Sequence, residues 1–140
     1  MWKYLSLVLI CLRFGNSAFC QKKIQKIQQI NKCEFLNIAL KVDSAINWLG
    51  LRNIKADTID VFDWSNTFDG CNTISELGIT YRFLAMKPGK RNVIQAAIMK
   101  HKGTSYEIMI VSGFNGNAVT CHFGVKGKQI ILISCELGNT

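Results

Sequence analysis

The chain has 140 residues, a single proline and an apolar share of 49%, which is the length of one domain and a composition that excludes a disordered chain. Seventeen lysines and arginines against nine aspartates and glutamates give a net charge of +8 with both histidines neutral, a balance suited to anionic partners.

At the N-terminus, Lys3, the largely apolar run Leu5–Leu12 and the small polar stretch Gly15-Asn16-Ser17-Ala18 have the layout of a signal peptide, placed at residues 1–20. The run is too short to cross a bilayer as a helix, and no later segment is long and apolar enough to do so. Cleavage after Ser17 or Ala18 would leave five cysteines, whereas cleavage after Cys20 leaves Cys33, Cys71, Cys121 and Cys135. An even number suits an oxidising compartment. Without Lys3 and Arg13, 15 basic residues face 9 acidic ones, a net of +6. The expectation is one secreted, extracellular domain over residues 21–140 with no transmembrane segment.

From Gln21 to Asn31 the isoleucines at 24, 27 and 30 are spaced by three, and Leu36, Ala39, Leu40, Ile46 and Leu49 continue an apolar stripe at helical spacing as far as the stop signal Gly50. The spacing predicts a long N-terminal helix. Leu51–Gly78 is acidic and rich in turn residues, with a short strand at Thr58–Phe62, Trp64 and Phe68 as anchors on the core, and Cys71 as a tether to the helix.

Strand patterns follow at Ile79–Met86, Val93–Met99, Tyr106–Val111, Val119–Val125 and Ile130–Leu137, separated by turns at Lys87-Pro88-Gly89-Lys90, Lys100–Thr104, Gly113–Asn117 and Lys126-Gly127-Lys128-Gln129. In the last hairpin, pairing Cys121 with Cys135 sets Val125 opposite Ile131, Phe123 opposite Ile133 and Val119 opposite Leu137, which makes one face apolar. A Cys121–Cys135 disulfide follows from that register, and Cys33–Cys71 remains by elimination. The predicted fold is α+β, a long N-terminal helix packed on an antiparallel up-and-down sheet of about five strands.

Successive turns of such a meander alternate between its ends, so Lys100, His101 and Lys102 should share one end with Lys126 and Lys128, as a candidate anion-binding cluster. Lys87, Lys90 and Arg91 would lie at the other end. Outside a cell the matching partners are a glycosaminoglycan or an anionic lipid headgroup rather than nucleic acid. Val93, Ala97 and Met99 would leave an apolar outer face, either covered by the acidic loop with Trp64 or open to a small apolar ligand.

The sequence holds no nucleophile elbow, metal-ligand repeat or phosphate-binding glycine loop, which leaves His101 and His122 as the only histidines for acid–base work. No catalytic residue, metal or cofactor is expected. Cys121-His122-Phe123-Gly124-Val125 followed by Cys135 resembles the final disulfide hairpin of secreted cystatins, a resemblance that implies a long helix across an antiparallel sheet and inhibition of cysteine proteases. The inhibitory glutamine-valine-glycine loop of that family has no counterpart here. Ser65-Asn66-Thr67-Phe68 and the segment Lys128–Glu136 resemble two stretches of the pancreatic-type ribonucleases. Asp63 stands where that family's catalytic lysine would be, so the resemblance implies a non-catalytic relative. Pro88-Gly89-Lys90-Arg91 also resembles a prohormone processing site, although the strand-like apolar flanks favour a turn with exposed basic residues. Together these readings predict a secreted, disulfide-stabilised binding protein without catalytic activity, of unknown protein or anionic partner. The alternatives are a cystatin-like cysteine protease inhibitor and a carrier of a small apolar ligand.

Overall fold

The computed structural model describes residues 30–68, 70–84, 89 and 93–139. Two short helices, α1 (Cys33–Ala39) and α2 (Asp43–Trp48), lead through a 3-10 turn (Leu51–Asn53) into seven strands. These are β1 (Thr58–Asp63), β2 (Thr73–Glu76), β3 (Ile79–Leu84), β4 (Val93–Lys102), β5 (Ser105–Ser112), β6 (Asn117–Lys126) and β7 (Gln129–Asn139). They form one mixed sheet in the order β2-β3-β1-β4-β5-β6-β7. The sheet curls until its two edge strands, β2 and β7, both touch α1.

This architecture overturns the predicted α+β fold of a long helix on a five-stranded meander. The apolar stripe from Leu36 to Leu49 is divided between α1 and α2, because Val42 is extended at φ −75°, ψ 111° and Asp43 opens a new helix with a carboxylate in its first turn. Of the predicted Gln21–Asn31 helix only the end falls among the described residues, and there Asn31 is non-helical, its Oδ1 accepting the Cys33 N–H at 3.1 Å. The break lets each short helix present its own buried set, Phe35, Leu36 and Ala39 from α1 and Ala45 and Ile46 from α2, to a surface that curves beneath them. Phe35 packs against Tyr106 in a tilted arrangement and edge-on against Phe123, with ring centroids 4.8 and 5.1 Å away.

The second departure lies in the sheet order. A meander would pair β3 with β4, but β1 lies between them and pairs with both in parallel, Ile59 facing Tyr81 and Val61 facing Ile94. Only β4 to β7 run up and down. The polar segment Thr73–Glu76, read above as loop, is the edge strand β2. The turn at Lys87-Pro88-Gly89-Lys90 and the basic pair Lys90-Arg91 lie outside the described residues except for Gly89.

Inside the curl, Ile59, Val61, Tyr81, Ile94, Ala96, Ile108, Ile110, Val119, Cys121 and Phe123 form the buried core with Phe35, Leu36, Leu49 and Leu51 above them. Phe68 is buried as expected, whereas Trp64 is 55% exposed rather than set in the core. Val93 and Ala97 are buried, so the outer face of β4 is not the open apolar surface that the sequence suggested, and Met99, the residue displaced at a β4 bulge, alone is exposed there.

Two disulfides join Cys33 to Cys71 and Cys121 to Cys135. The first ties α1 to the loop before β2, and the second is a cross-strand pair in the last hairpin. Cys121 faces Cys135 and Val119 faces Leu137, but a bulge after His122 moves Phe123 opposite Leu132 and Val125 opposite Ile130. Ile133 is thereby pushed out of the ladder to 67% exposure and lies over Gly124, where an added β-carbon would stand 3.6 Å from its Cδ1.

Candidate functional site

Two turns make the site. Gly103 at φ 60° and Gly127 at φ 64° take the left-handed conformation at the first central position of two-residue hairpins, which glycine adopts without the strain a β-carbon brings. Each glycine follows a lysine, Lys102 at the end of β4 and Lys126 at the end of β6, and Lys128 completes the second turn. The turns lie side by side. The Val125 N–H donates to the Thr104 carbonyl at 2.8 Å, and Ser105 faces Gly124 across β5 and β6. With neighbouring strands spaced by about 4.8 Å, the backbones at Lys102 and Lys126 stand roughly 10 Å apart.

The five residues singled out in the sequence differ in their surroundings. Lys100 Nζ lies 3.4 Å from Glu107 Oε2, so its charge is met by a carboxylate on β5. His101 stacks on the Tyr106 ring with centroids 4.2 Å apart, and its Nε2 pairs with the Gly103 carbonyl at 2.9 Å, which holds the ring against the strand. Lys102, Lys126 and Lys128 remain exposed, and none of them has a carboxylate partner among the described residues. Three unneutralised ammonium groups therefore project from one end of the sheet on two rigid turns. Lys87, Lys90 and Arg91 lie outside the described residues.

His122 sits away from this end, on the outer face of β6. Its Nδ1 is 3.8 Å from Glu107 Oε2 and its Nε2 3.4 Å from Glu136 Oε1, while Lys100 flanks Glu107 in turn. The row crosses β4, β5, β6 and β7 with charges of alternating sign when the imidazole is protonated. Nε2 itself is buried without a hydrogen bond, the 3.4 Å approach of Glu136 being an ion pair of poor hydrogen-bond geometry. Ser134 faces His122 across the hairpin, but no hydroxyl or thiol bonds to the imidazole among the described residues. The order of the four strands was legible from their hairpins, but which residues stand level across them was not, since that depends on the bulges at Met99 and after His122. Among the described residues no group of histidine, cysteine, aspartate or glutamate side chains is arranged to hold a metal ion, and no helix is long and apolar enough to cross a membrane.

No family model, curated protein or solved structure matches the chain. The site is accordingly read from its own chemistry. Three mobile-headed cations on a stiff frame, with carboxylates turned elsewhere, can meet an extended polyanion through successive charge-assisted contacts.

Proposed function

We propose that the chain is a secreted, disulfide-stabilised binding protein without catalytic activity, and that Lys102, Lys126 and Lys128 hold a sulfated polysaccharide. One observation carries the reading, namely two adjacent lysine–glycine turns, fastened by the Val125–Thr104 hydrogen bond, whose three lysines face no carboxylate among the described residues. The two disulfides support an oxidising, extracellular setting.

Heparin-affinity chromatography tests this. The combined variant Lys102→Gln, Lys126→Gln, Lys128→Gln should elute at clearly lower salt than the wild type. Its slope of log binding constant against log salt should be shallower by about two, by the counterion-release reasoning used for nucleic acids. Lys32→Gln, on the far side of the sequence, serves as the charge control. Equal elution of the triple variant and the control would refute the assignment, and retention on phosphatidylserine vesicles but not on heparin would move the partner to a membrane surface.

A further inference from the structure

A cavity of about 490 Å³ opens between α2, the link from the 3-10 turn into β1, and the β2–β3 hairpin. Ile46 from α2, Ile54 from the link and Ile79 from the start of β3 give it an apolar side, and Asp43, Arg52, Lys55 and Asp57 supply the charged part of its lining. Tyr81 forms part of the lining although the residue is only 1% exposed, and its phenol has no hydrogen-bond partner among the described residues. With no such protein partner, the hydroxyl leaves one donor on the cavity wall for a group that accepts a hydrogen bond. Burial, and after it the Glu76 carboxylate, pushes the phenol up from 10.0 to about 12, which keeps the proton on it as a donor at any physiological pH.

The lip is unusual. Leu77 and Gly78 form the two-residue turn between β2 and β3, both at positive φ, 51° and 78°. The glycine suits such a turn, but the first position favours asparagine, aspartate or glycine, and a leucine is strained there. Leu77 nevertheless stands 63% exposed on the cavity's edge, so burial does not explain it. Strain retained at an exposed apolar residue beside an unpartnered polar group is the pattern of a ligand clamp.

Charge around the rim is balanced. Arg52 pairs with Asp43, and Lys55 and Asp57 add one charge of each sign to the lining. No surplus of either sign is available to select an ion.

We propose that this cavity binds a small uncharged apolar molecule bearing one hydrogen-bond acceptor, of the class of medium-chain ketones and esters. The Tyr81 hydroxyl donates to the ligand's carbonyl oxygen, the isoleucines enclose its chain and Leu77 covers its exposed flank. The site is separate from the lysine turns and stands or falls apart from them.

The full chain with its disulfides intact is titrated with N-phenyl-1-naphthylamine, a neutral dye that brightens in apolar surroundings, and the dye is then displaced by 2-nonanone, nonane or nonanoate. The wild type should take up the dye, and the ketone should displace it at about three- to tenfold lower concentration than the alkane, the range expected of one neutral hydrogen bond. Nonanoate should compete no better than nonane. Tyr81→Phe, which removes only the unpartnered hydroxyl and should fold, is expected to bind the dye and lose the ketone's advantage. Leu77→Gly relieves the turn, so it should melt no lower than the wild type while dye affinity falls severalfold. Failure of the wild type to take up the dye would overturn the proposal, as would a ketone advantage that survives Tyr81→Phe or unchanged affinity in Leu77→Gly.

Discussion

Gly50→Ala isolates the junction on which the helices meet the sheet. Gly50 has φ 72°, a left-handed conformation that costs an L-residue about 1–2 kcal/mol. A β-carbon there would also stand 2.9 Å from Asn115 Nδ2, the group that donates to the Trp48 carbonyl at 2.9 Å. Asn115 would have to turn away and lose that bond, a further loss of about 1 kcal/mol. The cost stops there because Asn117 Nδ2 also donates to the Trp48 carbonyl, at 2.7 Å, and keeps it paired. Urea unfolding under non-reducing conditions should therefore show a loss of about 2–3 kcal/mol, and thermal unfolding a drop of roughly 10 °C. The two contributions separate in a double-mutant cycle. In an Asn115→Ala background Gly50→Ala should cost only the conformational part, about 1–2 kcal/mol, and leave a coupling near 1 kcal/mol. A loss below about 0.5 kcal/mol, or the same loss in both backgrounds, would refute the reasoning.

Three further outcomes follow from contacts elsewhere. Ser112 is fully buried, its Oγ donating to the Leu49 carbonyl at 2.8 Å and accepting the Phe114 N–H at 3.2 Å, so Ser112→Ala should cost about 1–3 kcal/mol in the same unfolding assay. The Cys33–Cys71 bridge spans 38 positions and Cys121–Cys135 spans 14, so replacing the first pair by serines should destabilise by about 4 kcal/mol and the second by about 3 kcal/mol on the loop-entropy estimate. Tyr81 ionises near 10 when the chain is unfolded but at about 12 when folded, so its contribution is intact below pH 10 and is lost as pH rises toward 12. Alkaline unfolding of the wild type should show a decline of about 2–3 kcal/mol across that window which Tyr81→Phe lacks.

The part of the fold that could be read in advance is the part where one local pattern has one solution. Val119, Cys121, Phe123 and Val125 alternate with polar or small residues, and the cysteine at 135 sets their partner strand. The same strand shows where reading stops. Ile130 to Ile133 are four consecutive aliphatic residues, so the run looks alike in either register and conceals the bulge at Ile133. The apolar stripe of Leu36 to Leu49 fits one helix or two equally well, since each short helix keeps its buried residues in phase, and only Val42 and Asp43 mark the division. The lysine turns were placed together because hairpin connectivity alone dictates which end they occupy. Leu77 and Tyr81 share one hairpin, but Ile46 could not be joined to them in the same way, as it meets them only where its helix packs beside that hairpin, which no local pattern dictates.

The central seat of β1 has consequences for how the chain assembles. Residues 93–139 can form by hairpins whose halves are neighbours along the polypeptide, which is a quick process. The strand at Thr58–Asp63 has no such neighbour and must wait for two partners that leave the ribosome after it. Protection from hydrogen exchange should therefore arrive in two waves during refolding, first in the ribbon that ends at Asn139 and later along the rows shared by Ile59 with Tyr81 and Val61 with Ile94. The zipper-like half of the molecule would then act as the template on which the slower half is laid.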